Sequence, residues 1–240
     1  TDNGTTWDSG RLVLRGRGTG VVMEGDTLLK WIGSDAVYFG ETPVVAISMA
    51  RRATDSSVFS SPCRILVWSP AFSGYATAAK WDSLTYWNGD GGQTNHVVIG
   101  YPSIGVSGNL LVMSYTAFPR RLEAIDTVTN NPRADIFMTQ STDGGQTWAL
   151  PVNLTNTDDL DERYSSISKW NPPGFAYVQW QETIYPGHFS AASPDNNFKE
   201  VAKQKVAKIT LNNLFPLNNL SALSVTTPIP AIAIKQGTGF

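Results

Sequence analysis

Few residues of this chain combine a reactive type with a suggestive position. The apolar run GFAYVQWQE, residues 174–182, closes on a carboxylate, Glu182, and Tyr185 follows three residues later. A carboxylate at a strand end can serve as acid, base or nucleophile. With a second carboxyl across a cleft it would make the pair that glycoside hydrolysis uses. A plainer reading places Glu182 on a loop or rim.

A second group is aromatic. Trp81, Tyr86 and Trp87 flank one polar turn, and Trp170, Tyr177, Trp180 and Tyr185 gather around another. Exposed indoles and phenols stack on sugar rings, so Trp87 and Trp180 are candidate binding residues; the alternative is that they fill the interfaces between sheets. Arg120 and Arg121, with Glu123 beside them, could fork onto a ligand carboxylate or stand as a solvated loop. Asp158, Asp159, Asp161 and Glu162 form an acidic loop of hard oxygens that could hold Ca²⁺, without the spacing of a known calcium loop, and no metal site is assigned. His96 and His188 are the only histidines, which leaves a histidine zinc site and a Ser-His-Asp triad untraceable.

The elements that would carry these residues read as strands. Short apolar runs recur at 20–26, 27–33, 35–40, 43–51, 63–70, 110–116, 134–140, 163–170 and 174–182, separated by Gly-, Asn- and Asp-rich turns. Alternation is partial, as for sheets buried on both faces. KQKVAKITL at 203–211 reads as a further outer strand or a short helix.

Between the runs lies a repeated turn. Ser141–Trp148 reads STDGGQTW, an S-x-D-x-G-x-T-W box. The chain opens on a second copy, TDNGTTW, with Asp2, Gly4 and Trp7 in the matching places. NGDGGQTN supplies a third through Asp90 and Gly92 but lacks the Trp. In each, Asp can accept backbone N–H groups, Gly can take a positive φ, and the Trp can cover the turn. The boxes are therefore structural: Asp2, Gly4, Trp7, Asp90, Gly92, Asp143, Gly145 and Trp148. The box aspartates stand 88 and 53 residues apart, which suits two units of 44 and one longer unit.

On these boxes the chain resembles the Asp-box (BNR repeat) propellers, a superfamily that includes sialidases, other glycoside hydrolases and sortilin-like receptors. The resemblance implies an all-β fold: a β-propeller of four-stranded blades over residues 1–214, partial or small, since 240 residues hold only four to five blades. It also implies boxes on the face away from an active site. In a sialidase three Arg hold a substrate carboxylate and a Tyr–Glu pair supplies the nucleophile, which would give Glu182 with Tyr177 or Tyr185 that role. Residues 215–240 carry no box and are apolar with Pro breaks; they read as an extension that docks as a strand or exchanges with a neighbouring copy.

Composition narrows the partners. Eighteen basic and 20 acidic residues give a net charge of −2 with no basic patch, which argues against nucleic acid. Apolar stretches are too short to span a membrane as a helix. The single cysteine, Cys63, cannot form an internal disulfide. Low charge, many turns and many aromatics fit a secreted or cell-surface protein. The opening inside a box suggests a processed or cut chain. The expected function is a non-catalytic module that binds glycan or protein, or that serves assembly. The alternative is a sialidase-like glycoside hydrolase using paired carboxylates. No cofactor other than Ca²⁺ is suggested.

Overall fold

A computed structural model of the chain describes residues 13–14, 20–52, 59–81, 98–127, 132–184, 186 and 202–214. They form three open sheets. The first has five antiparallel strands in sequence order: β1 (Val21–Met23), β2 (Asp26–Phe39), β3 (Thr42–Arg52), β4 (Phe59–Trp68) and β5 (Ala76–Lys80). The second contains β6 (Ile99–Ser107), β7 (Leu110–Ala117), β8 (Asp135–Ser141) and β9 (Val152–Asn153), all antiparallel. Its free edge, beside β6, takes a fifth strand, β11 (Trp170–Asn171), in parallel. The third sheet has three strands: β10 (Asp161–Ile167), β12 (Phe175–Thr183) and β13 (Lys203–Thr210). One 3₁₀ turn spans Leu122–Ala124, and a single helical turn, α1 (Leu211–Leu214), follows β13.

These findings correct the expected architecture. Sheets of five, five and three strands replace the four-stranded blades, and the described strands close no ring. The chain is all-β but is not a propeller built on Asp-box (BNR) repeats. The physical reason is that a box encodes one tight turn. Its hydrogen bonds are local and set neither the number of strands on either side nor the closure of sheets far apart in sequence. Only the copy at Ser141–Trp148 falls among the described residues; the others, and the extension at 215–240, lie outside them.

The second sheet is buried on both faces, and its strands show why. Along β7, Leu111, Met113 and Tyr115 pack toward the first sheet with Val44, Ile65 and Val67, while Val112 packs toward the third with Val178 and Trp180. β8 alternates likewise: Phe137 faces one core, Ile136 and Met138 the other. Side chains two residues apart share a face, so an unbroken apolar run supplies two cores at once. Each large side chain so buried contributes roughly 1.5–3 kcal/mol. Cys63 lies buried in the first of these cores.

Three register breaks position the site. On β2 the chain advances four residues, Lys30 to Ser34, while β3 advances two. On β6, Gly100 to Ser103 faces two steps of β7, and on β10, Arg163 to Ser166 faces two steps of β12. Such bulges bend a strand and re-aim its side chains.

Candidate functional site

The three bulges converge on one cleft of about 300 Å³, at the small end of the range for ligand sites. Each sheet contributes a short stretch to its wall. Gly33, Ser34 and Asp35 come from β2, Tyr101, Pro102 and Ser103 from β6, and Tyr164, Ser165 and Ser166 from β10; Lys169 completes it. The two tyrosines occupy corresponding positions in their bulges. Both have left-handed backbones, with φ of 54° at Tyr101 and 56° at Tyr164. A bulky residue at positive φ is strained, and such strain gathers at functional sites. The Tyr164 amide donates to Thr116 Oγ1 at 3.2 Å, which fixes its turn. The two rings meet edge to face with centroids 4.9 Å apart, and Tyr164 is 41 % exposed.

Asp35 ties the cleft together. Its Oδ2 accepts from Ser103 Oγ at 3.1 Å, from the Ile104 amide at 2.9 Å and from Lys169 Nζ. Lys169 Nζ also donates to the Ile104 carbonyl at 3.1 Å. Ser103 Oγ in turn accepts the Ile167 amide at 3.0 Å, linking the second sheet to the third. Burial pushes the Asp35 carboxyl up, but the bonds from Lys169, Ile104 and Ala36 outweigh it and hold the group below its usual range. At Tyr101, burial and the neighbouring Tyr164 raise the phenol above its usual range against the pull of Arg163. The Tyr101 phenol therefore presents a hydroxyl rather than a charge.

Lys169 is held in place by a close packing. Its carbonyl accepts the Val106 amide at 2.8 Å, and Asn171 Nδ2 donates to the Val106 and Ser168 carbonyls at 3.1 and 2.8 Å. A Cβ on Gly105 would stand 2.1 Å from the Ser168 carbonyl oxygen, so only glycine lets this loop dock on β6.

The residues singled out from sequence are dispersed. Glu182 lies near the end of β12, largely buried, with Lys205 Nζ 3.2 Å from its carboxylate. Trp180 is only 2 % exposed and packs in the core between the second and third sheets, out of reach of a stacking sugar. Arg120 is exposed beside the 3₁₀ turn. Arg121 bonds Asp135 Oδ2 and Asp158 Oδ1, each at 2.9 Å, and also the Thr157 carbonyl; its partners belong to the protein. Trp87 and Tyr185 lie outside the described residues. The acidic loop does not converge: Asp158 pairs with Arg121, Asp161 with Arg163 at 2.6 Å, and Glu162 turns inward. Among the described residues no group of three or more acidic, histidine or cysteine side chains has metal-binding geometry. No helix among them is long and apolar enough to cross a membrane.

The box at Ser141–Trp148 forms the tight turn its sequence encodes. Asp143 accepts from the Thr147 amide at 2.9 Å and the Thr147 hydroxyl at 2.6 Å, and the Trp148 indole donates to the Gly145 carbonyl at 3.0 Å. Gly145 sits at φ 100° with Val67 and Leu111 against it, a place closed to a side chain. The turn is a staple between sheets and contributes nothing to the cleft lining.

Of the cleft, sequence reasoning found no member. Tyr101, Tyr164 and Asp35 come from three sheets and Lys169 from a loop between strands, and no motif marks them. The available signal was a tyrosine followed by Pro-Ser or Ser-Ser within an apolar run, where the strand pattern stumbles.

No protein-family model matches this sequence, and no curated protein matches it. Solved structures do share part of its form. One is an N-acetylgalactosamine deacetylase from F. plautii in complex with blood group B trisaccharide, with TM-score 0.40 and 12 % identity, over 66 % of this chain and 46 % of that one. A protein of unknown function from Dyadobacter fermentans matches with TM-score 0.38 and 11 % identity, over 75 % of this chain and 42 % of that one. A Trypanosoma rangeli sialidase mutant displaying trans-sialidase activity matches with TM-score 0.38 and 11 % identity, over 81 % of this chain and 34 % of its own. The chain thus spans between a third and a half of the length of each.

Proposed function

We propose that this protein binds carbohydrate in the cleft formed by the three bulges. The observation that carries the reading is the pair of tyrosines, strained into left-handed backbone in two different sheets so that their rings meet at one cleft wall. Around them stand the hydroxyls of Ser34, Ser103, Ser165 and Ser166 and the ammonium of Lys169. A polyhydroxylated ring matches this wall, with apolar faces for the phenols and hydroxyls for the polar groups. Among the described residues Asp35 is the one carboxylate in the lining, and its oxygens are engaged by protein donors. Among the described residues the lining holds no second carboxyl of the kind acid–base hydrolysis uses.

The test is a calorimetric or NMR titration of the full chain with a panel of neutral and acidic saccharides. We expect saturable binding that falls tenfold or more in Tyr164→Ala, about 1.4 kcal/mol, with folding intact. A folded Tyr164→Ala that binds as the wild type does, or a panel with no saturable ligand, would overturn the reading. Incubation with the saccharides that bind reports turnover. Turnover lost in Glu182→Gln would replace binding by hydrolysis.

A further inference from the structure

A second polar centre lies away from the cleft, where β8 meets the start of β10, and it is sealed from solvent. Asp135 and Glu162 are both buried, and their carboxyls interact directly. Asp135 Oδ2 accepts from Arg121 Nη2 at 2.9 Å and Asn153 Nδ2 at 2.5 Å. Its other oxygen, Oδ1, is buried and has no hydrogen-bond partner among the described residues. Glu162 Oε2 accepts from Thr157 Oγ1 at 2.9 Å. A buried acceptor left without a donor is costly, and two ionised carboxylates in contact out of water are more so. One proton resolves both problems. Carried by Glu162, it supplies the donor that Asp135 Oδ1 lacks and removes the repulsion. Arg121 decides which acid stays ionised, because its guanidinium lies on Asp135.

We infer that Asp135 and Glu162 hold one proton between them as a clasp, which fastens residues 153–160 onto β8 and β10 and opens when alkali removes it. The fastened segment hangs on the two acids and on Arg121: Asn153 on Asp135, Thr157 on Glu162, and the Thr157 carbonyl on Arg121. Ionising Glu162 places a second negative charge beside Asp135 with one guanidinium to share. Among the described residues, the other charged groups around the pair have partners of their own. Asp158 pairs with Arg121 and Asp161 with Arg163; Arg133 pairs with Asp126 and bonds the Asp158 carbonyl. Glu182, opposite Glu162 across β10 and β12, is held by Lys205 on β13. Burial, then the Asp135 charge, push the Glu162 carboxyl up to about 9, so the clasp is closed at neutral pH. This inference is independent of what the cleft binds.

Carboxyl-carbon NMR of the full chain between pH 4 and 10 reads the proton directly, and hydrogen exchange at residues 154–160, corrected for the intrinsic rate, reads the clasp. Glu162 is expected to titrate far above the ordinary carboxylate range. Protection of 154–160 should fall about tenfold per pH unit from the ordinary carboxylate range of the open segment up to that midpoint and level off above it, as the linkage of one proton requires. Amides of β7 should keep their protection. In Glu162→Gln, whose amide donates in place of the acid, protection should be independent of pH; in Asp135→Asn the Glu162 midpoint should drop. A Glu162 midpoint near 4.5, or a segment whose protection is flat with pH in the wild type, overturns the inference.

Discussion

Asp35 joins the first sheet to the second and to the Lys169 loop, and its removal should show it. Asp35→Ala withdraws one acceptor from the Ser103 hydroxyl, the Ile104 amide and the Lys169 ammonium together. Ile104 is fully buried, so its orphaned amide costs about 1–3 kcal/mol. The ion pair adds only about 1 kcal/mol, because the Lys169 side chain is 35 % exposed and water screens it. The sum is about 3 kcal/mol, roughly 6–12 °C in Tm for a chain of this length. Lys169→Met removes the pair but leaves Asp35 its other donors, and should cost about 1 kcal/mol. Thermal or urea denaturation of the two single variants and the double variant closes a cycle. Its coupling should be about 1 kcal/mol, since in the absence of Asp35 the lysine has lost its partner. If Asp35→Ala costs no more than Lys169→Met, or if the two effects simply add, Asp35 is not the tie between the sheets and the argument for a preorganised cleft fails with it.

Other expectations follow from the same geometry. Gly105→Ala drives a methyl into the Ser168 carbonyl; it should lift β11 from β6, cost about 1–3 kcal/mol and weaken saccharide binding through displaced Lys169, as melting and titration would report. Trp180→Ala should lower stability by about 3–5 kcal/mol in denaturant melts, and a variant that keeps wild-type stability would refute its place in the core. Asp143→Ala should cost about 1 kcal/mol in the same melts through loss of its bonds to Thr147, with saccharide affinity unchanged. Asp35 and Asp143 both have carboxyls held below their usual range, so each contributes stability that is present above about pH 4 and lost as pH falls through the folded value. Asp35→Asn and Asp143→Asn should each flatten the acid limb of the stability curve, measured between pH 2 and 6.

The local structure was written plainly in the chain. STDGGQTW gives the turn at 141–148 because every bond in it joins residues at most four apart. The strand runs were legible for a similar reason, since apolar periodicity reports burial whichever sheet does the burying. The two-faced character of β7 could be read from LLVMSY alone. What misled was the step from turn to architecture. Repeated boxes imply repeated turns, and the number of strands between them depends on pairings such as β11 with β6, which no local signal announces.

The candidate site shows the same division. Glu182 and Trp180 drew notice because a carboxylate and an indole at a strand end look reactive, yet Lys205 and the core claim them. Tyr101 and Tyr164 drew none, being ordinary strand residues until a bulge turns each backbone through positive φ. The sequence by itself determined the all-β class, the tight turn at Asp143 and the apolar faces of the strands, because these depend on side-chain chemistry within a few residues. Only the tertiary structure decided the number of strands per sheet, the cleft and the acid pair. Asp35 lies 134 residues from Lys169, Tyr101 and Tyr164 stand in different sheets, and the Glu162 proton exists because packing removed two carboxyls from water together.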